Sequence, residues 1–223
     1  MNRATKFMRA IIPTIISATV FLMACSSAGP PHGPKYTPSA SEESATDCPK
    51  ERGRAQAARE ALLGTRDPLL RQRSIQMVFE HAECEESVLK TLASPQGDAD
   101  QILAGLRALR GQSTTAITLY KEVRLHGKPM LLIRSLVAQG RIKIAFAKAA
   151  RATAAPAELD VSQRAEFQGE LAIAAKVLHQ EAQKLLEEAL LLAGSVDEAE
   201  VARAEACRLL ASISASSTAC PAS

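Results

Sequence analysis

The chain has 223 residues, with 27 basic and 24 acidic side chains for a formal charge of +3. The three excess cations are Arg3, Lys6 and Arg9, so beyond residue 24 the charges balance and the basic character that would suggest a nucleic-acid partner disappears. Downstream of residue 25 the aromatic residues are Tyr36, Phe79, Tyr120, Phe146 and Phe167, with no Trp, too few to stack bases or sugar rings.

Residues 1–24 have the parts of an export signal in order: a cationic start, then an apolar stretch from Ala10 to Ala24. That stretch makes roughly 22 Å of helix, short of the ~30 Å hydrocarbon core that a permanent span must cross. It ends in Leu22-Met23-Ala24-Cys25-Ser26, which resembles the bacterial lipobox. The resemblance implies cleavage before Cys25 and a diacylglycerol joined through its sulfur; the alternative is an ordinary secretory signal with an incidental Cys. Several acyl chains would hold the chain on a bilayer, at ~0.8 kcal/mol per buried CH₂. Ser26 rather than Asp after the Cys resembles the default outer-membrane signal. The expected address is therefore the periplasmic face of the outer membrane, or the cell membrane in a cell without an outer one.

Residues 25–47 read as a tether. Pro30, Pro31, Pro34 and Pro38 interrupt any helix and no apolar period is present. Its 22 residues after Cys25 span at most roughly 70–80 Å.

Residues 48–223 read as one all-helical domain of antiparallel hairpins, rich in Ala and Leu and without strand-type alternation. Expected helices are Pro49–Gly64, Pro68–Thr91, Asp98–Arg110, Thr114–His126, Pro129–Gln139, Arg141–Thr153, Val161–Ala193 and Val196–Ser214. Pro49, Pro68 and Pro129 suit first turns, while Gly111 and Gly140 suit helix stops. Two segments, Ile102–Val123 and Leu131–Ala152, share a finer pattern. Gly111, Ala116 and Tyr120 in one match Gly140, Ala145 and Ala149 in the other. This resembles the turn and second helix of a tetratricopeptide repeat, with a spacing of 29 residues rather than that family's 34. A plain antiparallel bundle is the alternative. In the long helix, Leu171, Ala175, Leu178, Ala182, Leu185, Ala189 and Leu192 alternate large and small at spacings of four and three. That seam suits close packing, against Val196–Ser214 or against a second chain.

Four cysteines follow Cys25, an even number in a compartment that permits disulfides. Cys48 and Cys84 lie 18 residues either side of Arg66 and come level in an antiparallel hairpin, predicting a bridge. Cys207 and Cys220 then pair by elimination, with free thiols or metal ligation as alternatives.

Residues 121–151 hold eight basic residues and one acid, whereas residues 158–205 hold 11 acids and four basic residues. Either the two blocks face each other, or Arg134, Arg141, Lys143 and Lys148 form an exposed strip for an anionic polymer or lipopolysaccharide. Among the histidines, His32 lies in the tether, His126 at a helix end and His179 on a helix face with Gln183. His81 has Glu83, Glu85 and Glu86 close by but no second His at ligand spacing. No nucleophile elbow or phosphate loop is present. The expected function is a non-catalytic, membrane-anchored scaffold for an envelope protein, with no metal, no nucleic acid and no cofactor beyond the lipid on Cys25. It resembles in plan small lipoproteins with tetratricopeptide repeats, such as secretin pilotins.

Overall fold

The computed structural model describes residues 48–92, 94–213 and 220. The segments expected to be an export signal and a tether, with Cys25 between them, lie outside the described residues. Among the described residues the fold is all-α: α1 (Pro49–Gly64), α2 (Pro68–Thr91), α3 (Ala99–His126), α4 (Pro129–Ala152), α5 (Val161–Ala193), a 3₁₀ turn (Asp197–Ala199) and α6 (Glu200–Ile213).

Local chemistry sets most of the helix starts. Asp67 caps α2 by accepting from Leu69 N at 2.8 Å. Asp98 with Gln101, and Asp160 with Gln163, form reciprocal capping boxes on α3 and α5. Gly97 precedes the first of these at φ +113°, where a Cβ would collide with the Gln101 side chain; only glycine fits there without strain. Helix α4 differs. It begins with Pro129 after Lys128, whose side chain makes no cap.

Two expected breaks are not formed. Gly111 lies inside α3 and Gly140 inside α4, so the four short helices expected between residues 98 and 153 are two long ones. The turns that would make Ile102–Val123 and Leu131–Ala152 hairpins are therefore missing. A mid-helix glycine costs only about 1 kcal/mol. Each helix more than offsets that by burying Leu106, Leu109, Ala116 and Tyr120, or Leu136, Val137, Ile142 and Phe146, at roughly 1.5–3 kcal/mol per large side chain. At Gly140 the missing side chain is used: a Cβ would sit 2.9 Å from two atoms of Leu186. Gly111 faces open space.

Consecutive helices pack on each other through the chain, and α4 also touches α2 and α6. Helix α4 is thus the centre of the array. Its main partner is α5, whose buried face is Leu171, Ala175, Leu178, Ala182, Leu186, Ala189 and Ala193. Of the expected seam, Leu171, Ala175, Leu178, Ala182 and Ala189 are buried, while Leu186 and Ala193 take the places of Leu185 and Leu192, which are only half-buried. A straight helix turns every 3.6 residues, so a strict 3.5-residue stripe drifts off the contact line by about 20° per heptad. Packing of this seam is intramolecular, against α4 more than against α6.

Both expected disulfides are present. Cys48–Cys84 joins the start of α1 to α2, with Cα atoms 6.1 Å apart. Cys207–Cys220 ties the tail back onto α6, with Cα atoms 5.6 Å apart. No described helix is long and apolar enough to cross a membrane.

Candidate functional site

The second half of α2 turns acidic side chains into the protein. His81, Glu85 and Glu86 are all buried, and a buried carboxylate persists only where hydrogen bonds replace its water. Glu85 collects them from three helices: Arg52 of α1 at 3.2 Å, Gln112 of α3 at 2.7 Å, and His81 Nε2 one turn earlier at 2.9 Å. Burial alone would raise its pKa; the bonds from Gln112, His81 and Arg52 more than reverse that and hold it below the usual range. Glu86 faces the other way. It accepts from Tyr120 Oη at 2.9 Å and from both Nε and Nη2 of Arg141, the latter at 2.8 Å. Burial pushes the Glu86 carboxyl up, but the Arg141 bond and charge, then the Tyr120 bond, leave it lowered. Tyr120 is raised, by burial first and then by the Glu86 charge, so it stays a hydroxyl donor.

Tyr120 and Arg141, the partners of Glu86, also line an open cleft of about 370 Å³ between α2, α4 and α6. Phe79, Tyr120, Met130, Val137 and Ala138 supply the apolar floor, and Val201 of α6 stands on the rim, 82% exposed. Arg134 lies over the Phe79 ring, 4.5 Å from its centroid, and its guanidinium reaches Glu83 at 3.0 Å. Both members of that pair are nearly half exposed, so solvent and a partner can compete for them. Arg141 is fully engaged, by Glu86 beneath and by Glu205 across the cleft. The cleft therefore offers an apolar floor, fixed ionic walls and one exchangeable ion pair.

The expected basic strip divides accordingly. Arg134, Arg141 and Lys143 all hold carboxylates, Lys143 through Glu181 of α5 at 2.6 Å. Lys148 is exposed, and no such pair is seen for it among the described residues. Arg124 adds a further cross-link to Glu188 at 2.8 Å. The basic block thus meets the acidic block on α5 and α6, but Glu83 and Glu86 of α2 take two of its arginines.

A second cleft, of about 320 Å³, opens at the end of the array where α1 turns into α2 and α3 into α4. Ile75 and Leu131 form its floor, and its charged lining is Arg66, Arg71 and Lys128, with His126 beside them and no carboxylate. A third holds His179 among Arg151, Lys176 and Gln183; burial, then the Arg151 charge, lowers the His179 pKa.

Among the described residues no group of three or more His, Cys, Asp or Glu side chains is placed to hold a metal ion. His81 instead pairs with Glu85, and its neighbour Cys84 is in the disulfide. The sequence reading missed Phe79, Tyr120 and Glu205 as parts of the main cleft. Scarcity of aromatics was the available signal for the first two; nothing local marked the third. Comparisons of the chain with family models, curated proteins and solved structures found no match.

Proposed function

We propose that the chain is a lipid-anchored lipoprotein whose helical body binds another envelope protein without catalysing a reaction. The observation that carries this reading is the cleft of α2, α4 and α6, with apolar floor, fixed ionic walls and the exchangeable Arg134–Glu83 pair. Such a mixture suits a protein segment that presents an apolar anchor beside a charge. Two disulfides suit an oxidising compartment. The lipobox-like Leu22–Cys25 segment supports anchoring through an acylated Cys25, facing the periplasm from the outer membrane, or at the cell membrane of a cell with a single bilayer. Binding of an anionic polymer by Arg134, Arg141, Lys143 and Lys148 draws little support, because three of the four are engaged by carboxylates.

The test is a pull-down from solubilised envelopes with matched baits. A genuine partner is recovered by the wild-type chain and by Lys148→Glu, and lost with Val201→Glu or Arg134→Glu. Equal recovery by all four baits would sink the cleft reading. The anchor is tested separately: Cys25→Ala abolishes acyl labelling and membrane retention, and a mutant that stays membrane-bound contradicts it.

A further inference from the structure

The end of the array that holds the second cleft has an unusual surface. Leu69 is 75% exposed, Leu125 is 78% exposed, and Leu70, next to Leu69 in the chain, is half exposed. Three apolar side chains this open, at neighbouring helix ends, are costly to leave in water. Arg66, Arg71 and Lys128 line the second cleft with Leu69, and no ion pair is formed by any of the three among the described residues. Asp67, the acid within this stretch, is turned into the α2 N-terminus as its cap. Neither α2 nor α4 has an acid in its first turn. Every cationic group on α4 that lines the main cleft is neutralised by a carboxylate; these are not.

Protruding leucines at the same helix ends as these cations suit a bilayer with anionic headgroups. The leucines enter the acyl boundary while Arg66, Arg71 and Lys128 meet phosphates. We infer that this end of the helical body, the α1–α2 and α3–α4 turns together, docks on an anionic membrane surface. Docking here is independent of the cleft reading, since the two surfaces share no lining residue. It orients the body on the membrane; it does not replace the anchor. Helix α1 separates this end from Cys48 by about 24 Å, well within reach of a tether of up to roughly 70–80 Å.

Because the chain has no Trp, a single introduced one reports its own surroundings. The full chain carrying Leu69→Trp, or Leu125→Trp in a second preparation, is reconstituted into phosphatidylcholine vesicles with or without phosphatidylglycerol. Ala104→Trp, exposed near the start of α3 at the other end, serves as control. The expected result is blue-shifted emission and quenching by brominated lipid at positions 69 and 125 in anionic vesicles only, with position 104 unaffected. Adding Arg66→Gln, Arg71→Gln and Lys128→Gln lowers the ratio of docked to undocked molecules by about a hundredfold, roughly fivefold per charge. Unchanged far-UV circular dichroism keeps each variant interpretable. Quenching equal at all three positions, or equal in neutral vesicles, would overturn the inference. So would protection of the indole introduced by Leu69→Trp by soluble polyphosphate or by an acidic protein, without any lipid quenching.

Discussion

The two clefts use the same residue types to opposite ends. In the main cleft every arginine is matched: Arg141 by Glu86 and Glu205, Arg134 by Glu83. At the turn end, Arg66, Arg71 and Lys128 face a lining without a carboxylate. One region has its charges paired within the fold, Arg141 firmly and Arg134 in a half-exposed pair; the other presents them outward. The contrast shows that local charge density does not identify a binding surface. Of the eight basic residues in 121–151, Arg124, Arg134, Arg141 and Lys143 are held by carboxylates, while Lys128 of the same stretch stands with Arg66 and Arg71 in the second cleft.

If the locked region is structural, breaking it should cost stability in proportion to burial. The largest effect is expected from replacing Cys48 and Cys84 together by Ser, which removes the clamp beside Glu85 and should lower unfolding free energy by about 3–4 kcal/mol. Urea denaturation measures this directly; an unmoved midpoint would show that α1 is held by packing alone. Next is Glu86→Ala. Removing one partner of a buried pair costs ~3–5 kcal/mol, and we expect about 2–3 because Arg141 is partly exposed and keeps Glu205. Glu83→Ala, which breaks a half-exposed pair, should cost less than about 1 kcal/mol.

Acid offers a reversible version of the same test. Glu85 and Glu86 have folded-state pKa values below their unfolded ones. Their stabilisation is therefore complete above the unfolded value of about 4.3 and is lost as pH falls through the depressed folded values. Melting temperature should drop below that pH, and drop less steeply in Glu86→Gln. A matched slope in the two proteins would remove the carboxylate from the account.

A pair of glycine substitutions asks whether α4, which carries both cleft arginines, is placed by close packing. Gly140→Ala drives a methyl into Leu186 and should destabilise by about 1–3 kcal/mol. Gly111→Ala meets nothing and should stabilise by roughly 0.5–1 kcal/mol. Same-sign results would contradict the packing argument. The smallest effect belongs to the open end: Arg66→Gln with Lys128→Gln should leave stability within about 0.5 kcal/mol. A larger loss would reveal hidden partners and erase the contrast between the clefts.

Sequence alone determined the features governed by short-range chemistry. Pro49, Pro68 with Asp67, and Asp160 with Gln163 mark helix starts from within a turn, and α1, α2 and α5 begin and end where the residue pattern places them. Cys48 and Cys84 come level by counting residues around one tight turn. Tertiary structure decided the rest. Whether Gly111 and Gly140 end a helix depends on apolar area buried many residues away, which outweighs a glycine's cost. The seam of α5 shifts from Leu185 to Leu186 because a straight helix must keep facing α4. Arg141 meets Glu86 and Glu205 across 55 and 64 residues of chain, a choice no local pattern encodes, since many carboxylates, inside and outside the acidic block, had the right charge. Which cations are consumed and which are left to face outward is set only when helices distant in sequence are brought side by side.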